Sequence, residues 1–159
     1  MSRKKDEDHK VFASNRAARH NYLIVDELEA GMVLTGSEVK SVRDGKVVIK
    51  DAFASIRDGE VFLHNMHISP YTHARVEAHE AERSRKLLLH RREIMKLQRR
   101  IRHDGLTLIP LRIYLGRGVI KCELGLAKGK KSHDKRAAKK EEVVRREMRD
   151  SMGRARKGL

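Results

Sequence analysis

Apolar and polar positions change rhythm several times along this chain, and each change marks an element. Tyr22 to Val25 and Met32 to Leu34 are apolar runs flanking Asp26-Glu-Leu-Glu-Ala-Gly31, which predicts two strand segments or one long strand bent at Gly31. Structure should begin near Val11. Ser37 can accept from the free amides of a first helical turn and Gly45 can close the last one, so Glu38 to Asp44 is expected to be a short helix with Val39 and Val42 inward. Around Asp58-Gly59, residues Asp51 to Arg57 and Glu60 to His64 alternate in character, the pattern of a two-residue hairpin. Its apolar face is Ala52, Ala54, Ile56, Val61 and Leu63. Ile68-Ser-Pro70 ends a strand, and the polar stretch to Arg83 is expected to be a mobile loop.

Between His90 and Asp104 the period lengthens. Ile94, Leu97 and Ile101 stand at helical spacing with Met95 alongside, and Gly105 supplies a stop. The opposite face carries Arg91, Arg92, Lys96, Arg99 and Arg100. Leu106 to Leu115 and Val119 to Leu126 then form a second hairpin across Gly116-Arg117-Gly118, and Pro110, lacking an amide donor, belongs at an edge or a bulge. Many short strands and one helix of ordinary length predict a mainly β fold with helices: a small antiparallel OB-like barrel with a capping helix.

Core spacing stops near Lys128. From there to Leu159 the chain holds 13 Lys and Arg against 5 Asp and Glu, so +8 of the total formal charge of +15 lies on this arm. The expected organisation is a disordered leader over residues 1–10, a barrel over 11–127 and a basic C-terminal tail over 128–159. Gly129 is expected to be a flexible joint. Glu141 with Arg145 and Glu142 with Arg146 are i,i+4 pairs in the favourable order, and Val144, Met148 and Met152 share a stripe. A segment of this length is marginally helical in water, which predicts coil in the free chain and helix in the bound one.

A pI near 10.3 points to a polyanionic partner, because clustered Lys and Arg displace condensed counterions from phosphates. No apolar run approaches the roughly 20 residues needed to span a bilayer. Cys122 is the single cysteine, and Met1-Ser-Arg-Lys-Lys-Asp-Glu-Asp has no hydrophobic signal region, so a cytoplasmic location is expected. Aromatics make up 4% with no Trp, too few for a groove that stacks successive bases, so recognition should rest on backbone and RNA shape.

Several side-chain groups carry candidate chemistry. Asn15-Arg-Ala-Ala-Arg-His20, placed before the first strand, either grips phosphates and base edges from a loop or is a solvated basic leader. Glu29 and Glu38 either accept from base amines and 2′-hydroxyls or pair with nearby cations. In Arg85-Lys-Leu-Leu-Leu-His-Arg-Arg92, basic groups meet a helix start, and one exposed leucine would suit an unstacked base. The histidines do not make a metal set: His64 and His67 differ in strand parity, and no Cys or acidic cluster completes a tetrahedral shell. No catalytic triad, carboxylate pair or phosphate-binding glycine loop is present, and His133-Asp134 lies in the arm outside any expected pocket, so no enzyme activity and no cofactor is expected.

Taken in order, Asn15-Arg-Ala-Ala-Arg-His20, Glu29-Ala-Gly31, Gly36-Ser-Glu-Val-Lys-Ser-Val-Arg43, Asp58-Gly-Glu60, Ile68-Ser-Pro70, Arg85-Lys-Leu-Leu-Leu-His-Arg-Arg-Glu93 and Gly125-Leu-Ala-Lys-Gly-Lys-Lys-Ser-His-Asp-Lys-Arg136 resemble the motifs of the SmpB family of SsrA-binding proteins. The resemblance implies an OB-like barrel that binds the tRNA-like domain of transfer-messenger RNA (tmRNA, SsrA RNA). The barrel brings this RNA, alanylated and in complex with elongation factor Tu, to stalled ribosomes for trans-translation. It further implies RNA contacts at Asn15, Arg16, Arg19, His20, Glu29, Lys86 and Leu88. Lys128, Lys130, Lys131, His133, Asp134, Lys135 and Arg136 are implied to engage the decoding centre of the ribosome, with the following segment entering the empty mRNA channel, in a protein that acts as a monomer. Phe53 stands where the family pattern has a tyrosine, and residues 76–84 depart from its usual proline-containing run.

Overall fold

The computed structural model describes residues 10–71, 79–130 and 132–157. Residues 1–9 of the expected leader and the loop residues 72–78 lie outside the described residues. The chain runs β1 (Val11–Ser14), α1 (Ala18–Asn21), β2 (Tyr22–Met32), α2 (Gly36–Arg43), β3 (Val47–Val48), β4 (Phe53–Arg57) and β5 (Glu60–His64). It continues through β6 (His67–Ile68), β7 (Arg85–Leu88), α3 (Arg91–Asp104), β8 (Thr107–Gly116), β9 (Val119–Gly129) and α4 (Ser132–Lys157).

Six antiparallel strands close a ring in the order β8, β4, β5, β7, β2, β9 and back to β8. The same edge of β8 that meets β4 at Leu108 holds β1 farther along, where Ser14 faces Arg112. β3 and β6 form a separate two-stranded ladder. This is the small antiparallel barrel that the strand pattern predicts. Inward alternation fills it: Val61 and Leu63 from β5, Leu87 from β7, Ala30 from β2, Ile113 from β8 and Cys122, Leu124 and Leu126 from β9 are all essentially inaccessible. Each Val, Leu or Ile among them contributes about 1.5–3 kcal/mol when fully buried. Helix α3 closes one opening with Leu97, flanked by the half-buried Ile94 and Ile101, and Val42 of α2 enters the same core.

Local chemistry explains the elements and corrects four expectations. The cap of α2 is Thr35 rather than Ser37: Thr35 is extended, its hydroxyl accepts from the Glu38 amide, and the Glu38 carboxylate accepts from the Thr35 amide at 2.9 Å. Ser37 sits one turn inside and bonds His79 Nδ1 at 2.9 Å. β2 is one continuous strand whose register shifts between Ile24 and Asp26, so the irregularity lies at Val25 and not at Gly31. The segment containing Asn15 follows β1 instead of preceding all strands, and it folds into the single turn α1. Gly129 is no free joint, because it pairs with Tyr22 at the end of β9, beyond the expected barrel limit at residue 127.

The arm is helical over Ser132–Lys157. No proline interrupts it, and Ala, Lys, Arg, Glu and Met dominate its composition, all of them strong helix formers. Val144, Met148 and Met152 are exposed along its length. Pro110 takes the bulge alternative, with the β8–β9 register shifting between Pro110 and Arg112. The Asp58-Gly59 hairpin stands as expected, both residues having positive φ.

Candidate nucleic-acid interface

Alternation that points Leu28 and Ala30 into the barrel turns Glu27, Glu29 and Gly31 outward on β2, and the same parity brings Lys121 and Glu123 of β9 and Arg112 and Tyr114 of β8 to that outer face. Glu29 lies opposite Glu123, which lies opposite Arg112; Gly31 lies opposite Lys121, which lies opposite Tyr114. Two facing carboxylates repel, so each takes a cation. Arg112 holds Glu123, while Lys121 and the Tyr114 hydroxyl both donate to Glu29. The Arg112 guanidinium also lies over the Tyr114 ring, 4.7 Å from its centre. Burial, with the Glu29 carboxylate beside it, pushes the Tyr114 phenol well above its usual range, so it stays a donor.

On the other side of β2, Gly31 lies opposite Leu88. A side chain at position 31 would place its Cβ only 3.3 Å from that of Leu88, so the glycine gives Leu88 room beside the strand. Leu88 is 52% exposed while its neighbour Leu87 is in the core. Lys86 shares the outward parity of Leu88 and donates to Glu60 at 2.8 Å. Glu29, Lys86 and Leu88 therefore share the outer face of two adjacent strands, β2 and β7.

The basic turn reaches the same face from its β8 side. A small cluster outside the barrel, made of Ala18, Ile109, Leu111 and Ala127 with Tyr22 and Ile24, seats α1 on the β8–β9 hairpin. Gly125 makes room there, because a Cβ on it would meet Leu111 at 3.1 Å. Arg19 Nη2 donates to Glu27 at 2.7 Å, and this bond is the chief reason the Glu27 carboxyl titrates lower than usual. Arg16 and Arg19 line a groove with Arg112 and Glu123, and His20 is exposed beside them. Asn15 differs from its neighbours in being buried, with its side-chain amide donating to the Pro110 carbonyl at 3.1 Å and its backbone to Leu111. It clasps the turn to the β8 bulge.

The arm begins beside this turn. Lys128 is exposed at the end of β9, and Lys130 donates from its amide to the Asn21 carbonyl at 3.1 Å and from Nζ to the Arg19 carbonyl at 3.2 Å. Lys131 lies outside the described residues. His133, Asp134, Lys135 and Arg136 belong to the first turns of α4.

Glu38 does not join the exposed set. It is inaccessible, accepting from Arg83 at 2.5 Å and from the equally inaccessible Arg85 at 2.6 Å. Arg85 spends its remaining donors on the carbonyls of Met66, Glu80 and Ala81. Burial raises the Glu38 carboxyl, but the Thr35 amide and the two guanidinium groups outweigh it and hold the pKa at about 2. The described end of the expected mobile loop is thus tied down. His79 and His64 are also occupied, His79 between Ser37 and the Ile68 carbonyl, His64 between Ser55 and Ser84. Among the described residues no group of His, Cys, Asp and Glu is arranged to hold a metal ion. Burial pushes the Cys122 thiol far up, leaving it a small hydrophobe.

Arg112, Tyr114, Lys121 and Glu123 were not among the expected contacts. Their signal is present in the sequence, as polar alternation on strands whose other face is wholly apolar. No single-sequence pattern couples Glu38 to Arg83 and Arg85, which are more than forty positions away.

The family model described as "SmpB protein" matches residues 12–154, the barrel and most of α4. The chain belongs to the SmpB family. An SsrA-binding protein of Saccharopolyspora erythraea is 51% identical over 97% of this chain and 98% of its own length. That of Geobacillus thermodenitrificans is 52% identical over 87% of this chain and 90% of its own. A chain in the solved structure "tmRNA-SmpB: a journey to the center of the bacterial ribosome" is 48% identical with a TM-score of 0.62, covering 75% of this chain and 84% of that one. No helix among the described residues is long and apolar enough to cross a membrane.

Proposed function

We propose that this SmpB-family chain is the RNA-binding adaptor of trans-translation. It holds the tRNA-like domain of tmRNA on the outer face of β7, β2, β9 and β8 and delivers it, with elongation factor Tu bound to that RNA, to stalled ribosomes. The observation that carries this reading is convergence. Glu29 on β2 and Lys86 with Leu88 on β7, far apart in sequence, share one outer face with Arg16 and Arg19 at its border. Arginines supply paired donors to phosphate, the ringed carboxylate of Glu29 supplies an acceptor for a base amine or 2′-hydroxyl, and Leu88 gives a base an apolar seat. Asn15 acts mainly by fixing the turn.

The arm serves a second RNA. Lys128, Lys130, Lys131, His133, Asp134, Lys135 and Arg136 meet the decoding centre, and the amphipathic length of α4 enters the empty mRNA channel. The work is positional, so no cofactor and no catalytic residue is required, and a single copy in the cytoplasm suffices. Ending the chain after Lys130, which keeps every β9 pairing, should leave tmRNA affinity within about tenfold, or about 1.4 kcal/mol, while abolishing tagging on stalled ribosomes. If affinity and tagging fell together, the division between face and arm would be wrong.

A further inference from the structure

Helix α3 carries six Lys and Arg against two acidic residues, far more charge than capping a barrel requires. Its core contacts are made by Ile94, Leu97 and Ile101. The opposite side is a ridge of Arg92, Lys96 and Arg99, one residue per turn and all exposed, with Arg91 and Arg102 also exposed beside it. Arg100 alone of the helix's Lys and Arg side chains has an acidic partner among the described residues, at Asp26, 3.0 Å away. The other five make no ion pair among the described residues, in contrast to the outer face, where Arg19, Lys86, Arg112 and Lys121 are all paired. Gathering like charges along one helix face is unfavourable unless an anion offsets it.

The position of the ridge says which anion. α3 starts three residues after Leu88, and Arg100 reaches Asp26, the residue before Glu27, which holds Arg19. The start of the helix therefore abuts the outer face at its Leu88 side, and Arg100 ties the helix to β2. Residues at i and i+4 rise about 6 Å along a helix, so Arg92 and Lys96 can meet neighbouring phosphates of one strand.

We propose that the Arg92, Lys96 and Arg99 ridge of α3 is a phosphate-binding surface that grips the backbone of the same folded RNA seated on the outer face. This extension rests on the function proposed above. The ridge reads no bases; it adds affinity and fixes the angle at which the RNA lies.

The test uses the full chain carrying R92Q, K96Q and R99Q together, titrated with the isolated tRNA-like domain of tmRNA over a range of salt. Affinity should fall about tenfold or more at 0.15 M salt, and the slope of log K against log salt should flatten by about 2 to 3, near one unit per lost cation. A companion R92K, K96R and R99K variant, which keeps the charge, should bind like the parent; a loss there equal to that of the neutral variant would overturn the proposal. Unchanged slope and affinity in the neutral variant would also overturn it. So would a selective loss of binding to small ribosomal subunits, which would assign the ridge to ribosomal RNA. Failure of the unaltered chain to prefer this RNA over a tRNA of equal size would instead refute the underlying function.

Discussion

Two sets of carboxylate–cation pairs are built from the same side chains and do opposite things. Around Glu38, the acid and Arg85 are both sealed from water, and every side-chain nitrogen of Arg85 has an acceptor. Around Glu29, the pairs lie on the barrel exterior, with Glu29 and Lys121 both reachable by solvent. A sealed pair cannot exchange partners without leaving a buried charge alone, so it acts as architecture, tying α2 to β7 and to the segment after β6. An exposed pair is worth little to stability and can be reopened at small cost. Burial, more than residue type, separates a fastener from an interface.

The sharpest way to break this contrast is Glu38→Ala, which should cost about 3–5 kcal/mol in urea or thermal unfolding because the Arg85 charge is left buried without the carboxylate that balances it. A cost below 1 kcal/mol would mean the two regions do not differ. Acid offers a second probe of the same site. The folded carboxyl is held at about 2 against an ordinary 4.5, so its stabilisation is complete above pH 4.5 and is lost as pH falls from there toward 2. In Glu38→Gln this part of the acid sensitivity should disappear from unfolding curves measured across that range.

On the open side the expected effects move from stability to binding. Leu88→Asp should leave the unfolding midpoint nearly unchanged, since the side chain is half exposed, and should weaken tmRNA binding by tenfold or more in a filter or mobility assay. Glu29→Gln is the mildest change: stability should shift by less than about 1 kcal/mol, and RNA affinity should drop without a flatter salt slope, because no cation is removed. A change of slope would place Glu29 in a purely electrostatic role.

The contrast also explains what the sequence made legible. Hairpins at Asp58-Gly59 and Arg117-Gly118, the α3 stripe and the alternating strands are local signals, and each appears where its spacing predicts. Glu29 could be singled out only by resemblance, because its partners Tyr114 and Lys121 arrive from strands about ninety positions away. Glu38 carried the same ambiguity and resolved the other way. Nothing within a few residues of either acid says which one the fold will bury. The cap at Thr35 and the bulge at Val25 were missed for a smaller reason, since Ser37 and Gly31 offer equally plausible local chemistry and closure of the barrel chose between them.

Lys130 joins the two proposed RNA surfaces mechanically. Its amide and its ammonium both hold the turn that carries Arg19 and His20, and two residues later a helix of 26 residues begins. At 1.5 Å per residue that helix is about 39 Å long, so a rotation of about 10° at its root sweeps the far end through about 7 Å. In the proposed function, seating RNA on the turn and aiming the arm are consequently one adjustment, with the short end of the lever in the RNA and the long end out in the ribosome.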